Sequence, residues 1–177
     1  DRAAVGELLK GLSGNLDVVV PRGGKGLVSR IQKESRVPVF AHLDGICHVY
    51  VDQDASLEMA IEVVLNSKMR RPGICGAAET LLIDAAWPTQ HLRTLLEKLQ
   101  QAGCEVRADA LIRKNVDGCL PANDSDWTTE YLDAIISVKL IKGVAEAIDH
   151  INQYSSHHTE SIITANDKTA SRFLNQI

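Results

Sequence analysis

The sequence lacks the features that would mark a zinc-binding, secreted or membrane protein. Its four cysteines are widely spaced, without a Cys-x-x-Cys pair or a Cys/His cluster, which argues against a zinc site. No apolar run approaches the roughly 18 residues of a membrane span, and no N-terminal stretch resembles a signal peptide. We therefore expect a cytoplasmic chain with reduced thiols, although four cysteines would also allow two disulfides.

Charge is nearly balanced, so the sequence offers no general argument for nucleic-acid binding. The chain has 19 Lys and Arg against 23 Asp and Glu, for a formal net charge of -4. With 177 residues and 45% apolar residues, it can build a core for one main domain with an appendage. Both ends, Asp1 and Ile177, lie inside helical patterns, so we expect a segment of a longer protein.

Short apolar runs alternate with helical patterns along the whole chain, which predicts an α/β fold with a mostly parallel sheet between helix layers. A polar segment at 113–128 predicts a surface excursion, and Asp54 is the expected N-cap of the third helix. The predicted strands are 16–20, 37–40, 47–51, 79–84, 104–109, 132–141 and 161–165. The predicted helices are 3–12, 27–35, 54–69, 88–103, 144–155 and 166–177.

A glycine-rich turn, PRGGKG (21–26), joins the first strand to a helix, and its amides could approach a phosphate. It matches neither Gly-x-Gly-x-x-Gly nor a Walker A loop. A tight structural turn and a nucleotide contact both remain open at this point.

A second turn, RRPGICGAAETLLI (70–83), places Cys75 between a helix and a strand. A nucleophilic thiol needs access and nearby positive charge, which Gly73, Gly76, Arg70 and Arg71 could supply. The alternative is a small packed apolar residue. The other cysteines lack this setting and are expected to be packed: Cys47, Cys104 and Cys119.

Histidine and glutamate side chains near strand starts are weaker candidates. His42, His157 and His158 are possible bases, but the sequence fixes no partner for them. Glu130 precedes a predicted strand, where it could bind a ribose hydroxyl or simply face solvent.

Six stretches follow one another along the chain: DRAAVGELLKG, LDVVVPRGGKGLV, VPVFAHLDGICHVYVD, KMRRPGICGAAETLL, TEYLDAIISVK and SSHHTESIIT. In this order they resemble the gamma-glutamyl phosphate reductase family of the aldehyde dehydrogenase superfamily. The resemblance implies a three-layer α/β/α catalytic domain with a mostly parallel sheet. Residues 1–40 would be the C-terminal part of a Rossmann-like NADP-binding domain, and residues 41–177 a catalytic domain truncated at its C-terminus.

The resemblance also implies roles for individual residues. Cys75 matches the superfamily's catalytic cysteine, and Glu130 the glutamate that holds the nicotinamide ribose. His42 stands where many aldehyde dehydrogenases place a glutamate base, which puts a general base at this position in doubt. The expected cofactor-binding turn is formed by Arg22, Gly23 and Gly24, and the expected substrate-binding residues are Arg70, Arg71 and His158.

The activity implied is NADPH-dependent reduction of L-glutamyl 5-phosphate to L-glutamate 5-semialdehyde, through a cysteine thioester, in proline biosynthesis. The partners implied are this small-molecule substrate, further copies of the chain in a homo-oligomer, and glutamate 5-kinase; no metal, nucleic acid or membrane is expected. Two alternatives stay open: another aldehyde dehydrogenase that uses water as acceptor, or a structural segment that is inactive in isolation.

Overall fold

The computed structural model of the chain describes residues 2–41 and 44–177. These residues form two compact units, Asp1–Asp44 and Gly45–Ile177, each of which is described by itself. The assignment of residues 1–40 and 41–177 to a cofactor and a catalytic domain stays a prediction. Within the described residues, no helix is long and apolar enough to cross a membrane.

The first unit is mainly helical. It contains α1 (Arg2–Leu9), a 3-10 turn at Leu12–Gly14 and α2 (Lys25–Glu34). The strands predicted at 16–20 and 37–40 are wrong as full strands, because they meet only at one parallel bridge between Val19 and Val39. A two-stranded contact of this length has too few ladder hydrogen bonds to extend by itself.

The second unit is built around a six-stranded sheet in which every pairing is parallel. The strand order is β4-β3-β5-β2-β1-β6. Strand β2 is buried along its whole length, as the apolar run at this position predicts. The strands are β1 (Cys47–Val51), β2 (Ala78–Asp84), β3 (Glu105–Ala108), β4 (Leu120–Pro121), β5 (Ile135–Ile141) and β6 (Glu160–Ile163).

Helices cover both faces of this sheet, which confirms the predicted α/β fold. Successive residues of β2 point to opposite faces, so Leu81 and Leu82 belong to two different cores. The larger core contains residues of α3 and α4, and the smaller core contains residues of α6 and α7. The helices are α3 (Leu57–Met69), α4 (Thr89–Gln101), α5 (Ala110–Arg113), α6 (Gly143–Tyr154) and α7 (Asp167–Gln176).

Two local predictions are wrong. The N-cap of α3 is Ser56, whose Oγ accepts a hydrogen bond from the Met59 N–H at 3.2 Å, whereas Asp54 lies outside the helix and accepts one from the Asn166 side chain. The polar segment 113–128 is not wholly on the surface, because Trp127 is buried with only 8% of its area exposed. Its neighbour Asp126 is buried too.

The parallel direction of the strands gathers four loops at one edge of the sheet. Gly45 precedes β1, Cys75 precedes β2, Glu130 precedes β5 and His158 precedes β6. Parallel strands begin at the same edge, so these residues from distant parts of the chain meet at the amino ends of the strands.

Candidate active site

Cys75 lies in a compact turn between α3 and β2. The turn is held by hydrogen bonds from the Ile74 N–H to the Arg71 carbonyl, at 3.3 Å, and from the Ala77 N–H to the Ile74 carbonyl, at 3.0 Å. The cysteine is half-buried. A thiol in this position is accessible to a small molecule while its backbone is fixed.

The backbone of Gly45 fits directly against the Cys75 peptide. A Cβ atom placed on Gly45 would lie 1.8 Å from the Cys75 carbonyl oxygen, so no other residue fits without a backbone shift. The Gly45 N–H donates a hydrogen bond to Glu130 Oε1 at 2.8 Å. A single glycine therefore links the predicted nucleophile to the predicted ribose-binding glutamate.

Cys47 fixes the same peptide from another side. Its Sγ donates a hydrogen bond to the Cys75 carbonyl oxygen at 3.2 Å. Burial, with the Glu160 carboxylate second, raises the pKa of Cys47 to about 12, so its sulfur keeps its proton at neutral pH and remains a donor. The prediction that Cys47 is packed is correct, but the sequence did not indicate its hydrogen bond to the Cys75 carbonyl.

Two backbone amides of the turn are available to a ligand. The N–H groups of Cys75 and Gly76 have no hydrogen-bond partner within residues 2–41 and 44–177. Since the Cys75 carbonyl points toward Cys47, a planar trans peptide directs the Gly76 N–H the opposite way. Such a pair of amides beside a nucleophile could stabilise an oxyanion.

His158 lies beside the cysteine turn, as its predicted role requires. Its Cε1 atom is 3.9 Å from the position of a Cβ on Gly76. Its Nδ1 atom is 2.8 Å from Thr159 Oγ1 and 3.8 Å from Cys47 Sγ. The structure therefore brings together three of the predicted site residues: Cys75, Glu130 and His158.

A cavity of about 310 Å³ opens next to the turn, and both predicted substrate-binding arginines line it. Arg70 and Arg71 are exposed there, so the cavity carries positive charge. The remaining lining residues are small, polar or apolar: Asn66, Ser67, Ile74 and Gly76.

The predicted cofactor-binding turn lies in the first unit. Arg22 and Gly23 precede α2, and Gly24 is the N-cap of that helix, with an extended backbone. Their predicted role stays a prediction. His42 lies outside the described residues.

The opposite edge of the sheet contains a larger cavity, of about 590 Å³. Its buried carboxylates already have partners: the Tyr50 hydroxyl lies 3.0 Å from Asp52 Oδ1 and 2.9 Å from Asp84 Oδ2. Among the residues described, no group of three or more His, Cys, Asp or Glu side chains is placed to hold a metal ion.

The close contact at Gly45 predicts a specific loss of stability. Gly45→Ala should lower the free energy of unfolding by about 1–3 kcal/mol, the usual cost of overpacking. Gly73→Ala is the matched control in the cysteine turn, because its Cβ would make an ordinary contact of 3.6 Å with the Leu132 carbonyl. Urea unfolding measures both. Equal stability of the two variants would contradict the contact between Gly45 and the Cys75 carbonyl.

The chain is similar to curated proteins along its whole length. No protein-family model matches the chain. All 177 residues align with gamma-glutamyl phosphate reductases of Mesorhizobium japonicum, at 59% identity, and Parvibaculum lavamentivorans, at 60% identity. The aligned segment is 41% and 42% of these two relatives, so the chain spans about two fifths of their length.

Solved structures resemble the chain in the same way. The crystal structure of gamma-glutamyl phosphate reductase from Thermotoga maritima matches it with a TM-score of 0.94 at 43% identity, covering 100% of this chain and 42% of that one. An acetylating aldehyde dehydrogenase from Geobacillus thermoglucosidasius shares the fold, with a TM-score of 0.70 at 19% identity, over 98% of this chain and 46% of that one. The resemblance of this chain to the gamma-glutamyl phosphate reductase family is thereby confirmed along its whole length.

Proposed function

We propose that the full-length protein containing this segment reduces L-glutamyl 5-phosphate to L-glutamate 5-semialdehyde, with NADPH as reductant. The observation that carries the proposal is the cysteine turn beside an arginine-lined cavity. In the described part of the chain, the N–H groups of Cys75 and Gly76 in this turn have no hydrogen-bond partner. The 59% identity to a gamma-glutamyl phosphate reductase supports the choice of substrate. The reaction would serve proline biosynthesis in the cytoplasm.

In this proposal the Cys75 thiolate attacks the acyl carbon of the acyl phosphate. The oxyanion that forms is stabilised by the N–H groups of Cys75 and Gly76. Collapse of this intermediate expels inorganic phosphate and leaves a thioester on Cys75. Phosphate is a good leaving group, so this step needs no strong general base.

The residues present fit a nicotinamide cofactor at one point within the second unit. Glu130 is half-buried at the amino edge of the sheet, and its carboxylate can accept a hydrogen bond from a ribose hydroxyl. When bound, NADPH would supply the hydride that reduces the thioester. Arg22, Gly23 and Gly24 are proposed to contact the cofactor as well, and the preference for NADP over NAD rests on the family resemblance alone.

We place the anionic groups of the substrate in the cavity lined by Arg70 and Arg71. One guanidinium can bind two oxygens of the same phosphate or carboxylate group. Two arginines in one cavity therefore suit a substrate that carries both groups. His158, which lies close to Gly76, is a further candidate for contact with the substrate.

Two partner proposals concern the whole protein. We expect a homo-oligomer, as the family resemblance implies. Association with glutamate 5-kinase would deliver the acyl phosphate directly from the enzyme class that forms it.

Phosphate dependence of the reverse reaction tests this function. The full-length protein should reduce NADP with glutamate 5-semialdehyde only when phosphate is present, because phosphate resolves the thioester. Cys75→Ala should lower turnover by at least about a thousandfold, as for other nucleophile deletions, while Cys119→Ala should leave it unchanged. Turnover without phosphate would identify an aldehyde dehydrogenase that uses water, and full turnover in Cys75→Ala would exclude Cys75 as nucleophile.

Substitution of the two arginines tests the anion site. Arg70→Ala and Arg71→Ala should each raise the KM for phosphate in the reverse reaction by about tenfold or more, since a charge-assisted hydrogen bond is lost. Arg113→Ala removes a charge of the same sign from α5 and should not change this KM. Unchanged KM values in both cavity variants would exclude the arginines from the phosphate site.

A further inference from the structure

A fully buried ion pair connects the two elements on either side of the cysteine turn. The Nζ atom of Lys68, in the last turn of α3, is 2.7 Å from Oε2 of Glu79, the second residue of β2. Neither side chain is exposed at all. The pair joins the helix that enters the cysteine turn to the strand that leaves it.

The pair also reaches a third segment, the loop before β5. The Leu132 N–H donates to the other carboxylate oxygen, Glu79 Oε1, at 3.4 Å. The Lys68 Nζ atom lies 6.0 Å from the centre of the Tyr131 ring. Leu132 has a positive φ of 54°, a conformation that a non-glycine residue keeps only where its surroundings fix it.

This loop carries Glu130, two residues before Leu132. From its far side the loop is anchored through the Tyr131 hydroxyl, which is 2.8 Å from Asp126 Oδ1 and 2.6 Å from Ser137 Oγ. The bond from the Leu132 N–H to Glu79 thus fixes the main chain after Glu130, and the bond from the Thr129 N–H to the Asp126 carbonyl, at 3.3 Å, fixes it before Glu130.

Stability of the fold alone does not explain why the sequence has an ion pair at this fully buried position. Burial removes water from both charges, and apolar residues of similar size often stabilise a fold as well or better. Burial is also the main cause of the raised pKa of Glu79, which the Lys68 ammonium opposes. Lys68 therefore favours the ionised form of the Glu79 carboxylate, which is a strong acceptor for backbone amides.

We propose that Glu79, held in place by Lys68, is a positioning residue. It fixes the backbone at Leu132 and thereby helps to place the Glu130 carboxylate for the cofactor ribose. The role assigned to Glu130 rests on the proposed function, whereas the backbone contact does not.

Two double variants of the full-length protein separate this role from a structural one. Both remove the buried charges, but only Lys68→Met/Glu79→Gln keeps a side-chain oxygen that can accept from the Leu132 N–H. Lys68→Met/Glu79→Met has a similar volume and no acceptor. Both should fold, because neither leaves an unpaired buried charge, and near-UV circular dichroism checks this. Lys68→Met/Glu79→Leu is the second acceptor-free pair if the first does not fold.

Hydrogen exchange of residues 130–133 is the first readout, and it needs no activity. The Leu132 amide should exchange about tenfold or more faster in the acceptor-free variant than in the Gln variant. Loss of one hydrogen bond is expected to raise the equilibrium constant for local opening by about tenfold. The second readout is kinetic: the KM for NADP should rise about tenfold or more only in the acceptor-free variant. Loss of a residue that orients a metal-binding side chain typically weakens metal binding or activity by about 10–100-fold, and we expect an effect of similar size here.

Equal exchange in the two variants would overturn the proposal. Different exchange with equal KM for NADP would also overturn it, because the loop would then be fixed without consequence for the cofactor. If the unsubstituted protein shows no turnover with NADP, the proposed function fails, while the difference in exchange still decides whether Glu79 fixes the loop.

Discussion

The candidate site depends on one contact, that between the Gly45 backbone and the Cys75 carbonyl. A Cβ on Gly45 would lie 1.8 Å from that oxygen, and the Gly45 N–H is bound to Glu130. The peptide of the predicted nucleophile and the carboxylate of Glu130 thus both contact the same residue. Cys47 completes the arrangement, since its neutral thiol binds the carbonyl and turns the Gly76 N–H the other way.

The fold makes this contact possible because its strands are all parallel and its central strand is fully buried. Loops that enter the sheet meet at the amino ends of the strands, and the site residues lie on four of them. Ligands of open α/β sheets more often bind at the carboxyl ends. In this chain the carboxyl edge instead holds Asp52 and Asp84, whose side chains are already bonded to the Tyr50 hydroxyl.

The sequence predicted the sheet well, because apolar runs bounded by turns identify buried parallel strands without reference to distant residues. It failed at 16–20 and 37–40, where a similar pattern forms a single bridge. Cys75 could be singled out from its glycines and arginines. Gly45, Cys47 and the Lys68–Glu79 pair could not, since their importance comes from contacts with residues 11 to 85 positions away in the chain.

The most direct test of the account is to trap the thioester on the full-length protein. The enzyme would be incubated with glutamate 5-semialdehyde and NADP without phosphate, quenched in acid, digested and analysed by mass spectrometry, with Cys75→Ala in parallel. The account predicts one glutamyl adduct, on the peptide that contains Cys75, which disappears when phosphate is added before the quench. An adduct on a different cysteine, or the same adduct in Cys75→Ala, would contradict it.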